Sequence, residues 1–116
     1  MADATAAFFD ALGRRGHDPA LARASGTVAI EVVNGRSRRR WLVGIDKGEV
    51  TVSRGPGGTA DVTLRVSEPV FQSLASGRTS PTAAVLRGTV VVEGDMRLLV
   101  ITRRLLPGPP KRRKRT

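Results

Sequence analysis

The chain of 116 residues has no cysteine and no tyrosine, a single histidine, and four aromatic rings in all: Phe8, Phe9, Trp41 and Phe71. Without cysteine there is no disulfide framework, no thiolate nucleophile and no sulfur ligand for a metal. That composition suits a reducing cytoplasm, which is the expected location. One imidazole cannot build a metal site alone. His17 stands in a polar turn before Asp18-Pro19, the setting of a solvated loop residue rather than of a catalytic base. So few rings leave no stacking platform for single-stranded nucleic acid. Long apolar runs are missing too: nothing approaches the ~18 residues of a membrane-spanning helix. The opening MADATAAFFDALGRR carries acid early and has no basic start followed by an apolar stretch, so it does not read as a secretory signal.

Positive charge, by contrast, is abundant. The net charge is +10, from 20 basic and 10 acidic residues, which invites a nucleic-acid reading. Its distribution argues otherwise. Lys111, Arg112, Arg113, Lys114 and Arg115 are consecutive, and without these five the net charge falls to +5. Arg36, Arg38, Arg39 and Arg40 crowd one expected hairpin. Both clusters are candidate contacts to an anionic membrane surface, where each basic residue adds about 1 kcal/mol before screening. The tail has no apolar residue and follows Gly108-Pro109-Pro110, so it reads first as a disordered, solubilising end. Contact with nucleic-acid phosphates alone ranks last and would weaken steeply with salt. Seventeen arginines against three lysines point to a GC-rich bacterial coding sequence.

One domain is expected over residues 1–106, followed by a Pro/Gly hinge and the basic tail over 107–116. Asp3–Arg14 reads as a helix whose Phe8 and Leu12 share a face, with Phe9 about a quarter-turn aside. Pro19 starts a short helical turn through Arg23. Three alternating strands follow. Val28, Ile30 and Val32 point one way, then Trp41, Val43 and Ile45, then Val50 and Val52. Asn34-Gly35 signals a turn, and the arginines after it suggest a loop longer than the tightest hairpin. Gly55-Pro56-Gly57-Gly58 is a loop; it lacks the lysine and following helix of a phosphate loop. Asp61–Val66 is a strand with Val62, Leu64 and Val66 inward. Ser67 and Ser80 are expected to cap two helices that Gly77 and Gly88 end. Val70, Phe71 and Leu74 form the buried side of the first. Thr89–Glu93 is a fifth strand, and Asp95 caps a last helix to Leu106. The sum is an α+β fold: a five-stranded, largely antiparallel sheet with one apolar face covered by about four to five helices.

No catalytic residue, cofactor or metal site is expected, and the chain reads as non-enzymatic. Asp46, Glu49, Asp61, Glu93 and Asp95 fall at strand ends or a cap, and no histidine stands in sequence context to activate Ser67 or Ser80. The unusual element is the last helix. Arg97 and Arg104, seven apart, share one stripe, while Met96, Leu98, Leu99, Val100, Ile101, Leu105 and Leu106 wrap most of the remaining circumference. A helix lying on one sheet needs an apolar arc of roughly 100°. The surplus implies a second apolar neighbour: another helix, a homodimer partner, or an apolar ligand.

The ordered run ADVTLRVS, EPVFQSLASGRTSPTAAVLRG, TVVVEGD and MRLLVITRRLLP, over residues 60–107, resembles the C-terminal half of the sterol carrier protein type 2 domain. GTVAIEVV and RRRWLVGIDKGEVTV resemble its first three strands, so the resemblance covers residues 3 to 107. No single motif is diagnostic; the succession carries it. The resemblance implies an apolar tunnel between sheet and helices that accepts acyl chains, fatty acyl-CoA, sterols or similar lipids. Carried onto this chain, it implies a lining of Trp41, Leu64, Phe71, Leu74, Leu86, Met96, Leu99 and Val100. Each also has an ordinary core reading, preferred for Leu64. Trp41, Met96 and Val100 head the set: an amphipathic ring, an adaptable thioether and the helix position least committed to the sheet. A bacterial origin puts fatty-acyl or isoprenoid lipid before sterol. The expected function is binding or transfer of an apolar lipid. The alternative is an interaction or dimerisation module that uses the last helix.

Overall fold

The computed structural model describes residues 4–55 and 58–98. Helix α1 (Ala4–Arg15) buries Thr5, Phe9 and Leu12, a spacing of four and three that defines one helical face. Phe9, rather than Phe8, is therefore the centre of that face. Its ring stacks on Trp41 and on Phe71, while the half-buried Phe8 meets Phe9 and Phe71 edge-on. Two stacking partners outweigh the simple i, i+4 match of Phe8 with Leu12. A single 3-10 turn, Pro19–Leu21, follows and buries Leu21.

Strands β1 (Ser25–Asn34), β2 (Ser37–Asp46), β3 (Glu49–Arg54), β4 (Val62–Ser67) and β5 (Val90–Gly94) form one sheet in the order β3-β2-β1-β4-β5. β1 and β4 run parallel; the other three pairings are antiparallel. The β1–β2 turn is tighter than the arginines suggested. Asn34 pairs with Ser37, so Gly35-Arg36 is a two-residue turn. The β2–β3 turn, Lys47-Gly48, has both residues at positive φ, 53° and 94°, the pattern of a type I′ hairpin. The segment after α1 then covers part of the outer edge of β3: the amide of Val50 donates to the carbonyl of Gly16, and that of Asp18 to the carbonyl of Gly48. His17 Nδ1 lies 2.9 Å from Glu49 Oε2 at this seam, and both side chains are exposed.

Helices α2 (Glu68–Ala75) and α3 (Pro81–Arg87) link β4 to β5. Ser80 caps α3 as expected, accepting from the amide of Ala83 at 3.0 Å, and Gly88 closes it in the left-handed conformation. Ser67 departs from expectation: it sits at the α2 N-cap without a side-chain cap bond. Pro69 occupies the second helical position there and removes one of the two amides such a cap can use, while the other, that of Val70, donates no bond to the Ser67 side chain. Among the described residues, three α-helices and two single 3-10 turns thus stand where four to five helices were expected. Of the last of these, Asp95–Leu106, the structure describes the Asp95 cap and the turn Met96–Leu98; residues 99–106 lie outside the described residues. The Asp95 carboxyl is held below its ordinary range by hydrogen bonds from the Arg97 guanidinium and then the Arg97 amide. No helix among the described residues is long and apolar enough to cross a membrane.

The strand alternation places Val28, Ile30, Val32, Trp41, Val43, Ile45, Val50, Val62, Leu64, Val66 and Val90 in one buried cluster with Phe9, Phe71 and Leu74. Ala29 is buried as well, from the opposite face. On that face the β3–β4 connection presses on Leu42, where a Cβ on Gly58 would stand 3.0 Å from a leucine methyl. Gly94 is the tightest point of the sheet. Its φ is 112°, and a Cβ there would collide with the carbonyl oxygen of Asp61. Gly94→Ala is expected to cost about 2 kcal/mol or more in urea unfolding. Gly35→Ala, at positive φ but with nothing near its Cβ position, is expected to cost about 1 kcal/mol.

Candidate functional site

Residues directly opposite one another across a ladder share a face, so the registers read out as rows. One row of the helix-covered face is Arg54, Trp41, Ile30, Leu64 and Val92. The row beside it is Arg39, Val32, Val66 and Val90. Both begin in an arginine and continue in apolar side chains. Trp41 is the hinge between the two characters. Phe9 stacks on its ring at 4.4 Å with planes 11° apart, while the guanidinium carbons of Arg39 and Arg54 lie 5.1 and 5.2 Å from its centroid. Phe71 continues the stack beyond Phe9 at 5.3 Å and 13°. Such offset ring contacts and cation–π contacts each add about 0.5–1.5 kcal/mol beyond area burial.

Of the residues the sequence proposed as a lining, Trp41, Leu64, Phe71 and Leu74 come together in this cluster. Leu86 does not: its side chain is 82% exposed. Helix α3 turns Ala84 fully inward, and a residue two positions on lies about 200° around the helix. Met96 is 54% exposed beside the Asp95 cap. Leu99 and Val100 lie outside the described residues. Leu98 joins the cluster instead, packed where Gly26 has no side chain; a Cβ there would lie 3.2 Å from both leucine methyls. Phe9 and Ile30 were missed as well. For Ile30 a signal existed, because its strand alternates in phase with that of Trp41.

The hairpin arginines divide by parity. Arg39 faces the core layer, where its Nη2 donates to both Glu68 carboxylate oxygens at 2.9 and 2.7 Å. Glu68 also accepts from the hydroxyl of Thr5, which is wholly buried, and from Gln72 at 3.5 Å. One carboxylate thereby ties α1, α2 and β2 together. Arg40 faces the opposite side. There Arg40, Glu31, Arg65 and Glu93 form an ion-pair ladder across four strands, at 3.6, 3.1 and 3.7 Å. Arg36 and Arg38 are exposed. Arg38, Arg39, Arg40 and Arg54 converge with Glu31 and Gly55 on an open groove of about 660 Å³. Lys111, Arg112, Arg113, Lys114 and Arg115 lie outside the described residues. Among the described residues no cluster of His, Asp and Glu is arranged to hold a metal ion.

Residues 9–106 match the model of a family described as the SCP-2 sterol transfer family. Sterol carrier protein 2 of Arabidopsis thaliana is 32% identical over 56 residues, 48% of this chain and 46% of the plant protein; the match spans about half the length of that relative. Among solved structures, palmitated SCP2L2 from Aedes aegypti superposes with a TM-score of 0.72 at 16% identity, over 88% of this chain and 93% of the mosquito protein. The apo form of sterol carrier protein 2 from Yarrowia lipolytica does so with a TM-score of 0.70 at 21% identity, over 90% and 92%. At these identities the structural likeness is one of fold.

The Glu68 junction gives a direct test. Removing one partner of a poorly hydrated ion pair leaves the other charge without compensation. Glu68→Gln and Arg39→Gln are each expected to cost about 2 kcal/mol in chemical unfolding, discounted from the fully buried case because both groups keep some solvent contact. The double variant should cost less than the sum of the two, and strict additivity in that double-mutant cycle would count against the junction.

Proposed function

This chain belongs to the SCP-2 sterol transfer family, and from that premise we propose that it binds and transfers an apolar lipid held between its sheet and its helices, without catalysing a reaction. The family match across residues 9–106 carries this reading, because it spans the sheet, the helices and nearly all of the apolar final segment. The palmitated mosquito relative of the same fold supports a fatty-acyl ligand. The proposed lining is Trp41, Leu64, Phe71 and Leu74, completed by Leu99 and Val100 from the final segment. Leu86 and Met96, on the surface, are left out of it. The sequence surplus of apolar positions after Asp95 is then the wall that the ligand needs. Binding is driven by apolar area withdrawn from water, about 25 cal/mol per Å² before ordering losses. Arg36 at the hairpin tip and the basic run 111–115 would favour delivery at anionic membranes.

A second reading draws on Val91 and Met96, large apolar side chains about half exposed on and just beyond β5. In it the final segment buries against a second copy, and the protein forms a concentration-dependent dimer.

Trp41 is the only tryptophan, 3% exposed and at the centre of the proposed lining. A fatty acid brominated along its chain should therefore quench most of the protein's intrinsic emission, while the unbrominated acid should not. Native mass spectrometry after gentle purification should show co-purified lipid. Absence of both signals would sink the lipid reading, and a dimer in the same spectra would favour the second.

A further inference from the structure

The groove at the start of β2 is an unusual use of charge. Pairing between β2 and β3 ends at Trp41 and Arg54, so residues 37–40 of β2 extend beyond the last β3 partner. The amide of Gly55 donates to the carbonyl of Arg40, one further bond in the same register, which sets Gly55 and Arg54 beside this overhang. Four arginines line a groove of about 660 Å³ here, and among the described residues Glu31 is the only acid in its wall. Glu31 is already turned to Arg40 and Arg65, at 3.6 and 3.1 Å. Arg39 is engaged by Glu68. Arg38 and Arg54, both exposed, have no acidic partner among the described residues. The wall therefore carries more positive charge than its carboxylates balance. Two of its arginines are held in place by ion pairs; of the other two, Arg38 is exposed and Arg54 lies over the Trp41 ring without an acidic partner.

We propose that this groove is a phosphoryl-binding site, in which Arg38 and Arg54 close on a phosphate monoester or diphosphate while Arg39 and Arg40, reaching it from opposite faces of the sheet, supply fixed positive charge. Guanidinium forks match phosphate oxygens two at a time, and a dianion with several oxygens can engage more than one fork. A single carboxylate would be satisfied by one arginine and would not account for four. The rows of the sheet say which part of a ligand lies where. Arg54 stands opposite Trp41, and Arg39 opposite Val32, each at the head of an apolar row on the core-facing side. A phosphorylated amphiphile would thus place its head among the arginines and its chain past Trp41 toward Ile30 and Leu64. This orientation rests on the lipid-binding reading; the phosphoryl site itself does not.

The test uses the full chain and three probes in buffer at about 0.15 M salt, where loose surface electrostatics are screened. Inorganic pyrophosphate reports the groove alone, and dodecyl phosphate is compared with dodecanol, which has the same chain and no charge. Titrations follow Trp41 emission and calorimetric heat. Pyrophosphate should bind the wild type, and Arg38→Gln/Arg54→Gln should weaken that binding at least tenfold, while Arg87→Gln, at the exposed end of α3, should not. Dodecyl phosphate should bind at least tenfold more tightly than dodecanol, and the double variant should bring that ratio close to one. If pyrophosphate and dodecyl phosphate gain nothing over chloride and dodecanol, or if the double variant changes neither, the phosphoryl site is wrong. If both dodecyl probes fail while pyrophosphate binds and is lost in the double variant, the site stands as one for free phosphates, and it is the lipid reading that falls. A melting profile of the double variant matching the wild type confirms that losses of binding are not losses of fold.

Discussion

Strand β1 is held from both sides at one height: Ile30 lies opposite Trp41 on one flank and opposite Leu64 on the other. That three-strand register is the constraint on which everything else rests. A slip of one residue in β1 would turn Glu31 toward the helices and send Ile30 outward, because side chains alternate strictly along a strand. The register also sets the order of the aromatic stack. Trp41 can meet Phe9 only if α1 lies along the Trp41 side of the sheet, and Phe71 can join only if α2 packs beside it. The helix layer is thus positioned by the sheet through three nearly parallel rings rather than through general greasiness.

Charge is used with the same economy of position. Consecutive arginines at 38, 39 and 40 look alike in one dimension, yet the pleat assigns them different work. Arg39 reaches Glu68 and joins the two helices to the sheet; Arg40 enters a ladder on the outer face. The Glu68 junction draws together residues separated by as many as 63 positions in the chain. Such a polar contact adds less to stability than its geometry suggests, since desolvation opposes it, but breaking one side of it is costly. It therefore acts mainly to make one arrangement of α1 and α2 better than its neighbours.

Much of this was legible from the order of residues. Period-two alternation identified each strand and its inward side, and the cap-plus-proline opening at Ser80 identified α3. The resemblance of the segments to a known family extended over nearly the whole chain, and the family model agrees. What escaped was whatever depends on a neighbour distant in sequence. Phe9 displaced Phe8 because of rings on β2 and α2. Leu86 entered the expected lining through the family resemblance, although Ala84 sets the buried face of that short helix. Arg54 carried no signal of its own, since only the β2–β3 register brings it to Trp41. The parallel pairing of β1 with β4 was likewise invisible in alternation, which is the same for either strand direction.

The sheet tapers. Its two adjacent inner strands, β1 and β2, have ten residues each, and its outermost strands, β3 and β5, have six and five. The last strand on either side of an open sheet presents unpaired amides and carbonyls to any other extended chain, and the hazard grows with its length. Here one such border is partly occupied by the Gly16–Asp18 segment, and the other stops after five residues at Gly94, beside the charge of Glu93. A foreign strand would find too few bonds on either border to compete with water. Apart from the arginine-rich start of β2, which overhangs β3, the long strands of the interior are paired on both sides, and the taper limits sheet growth while the protein's greasy surfaces stay available for other uses.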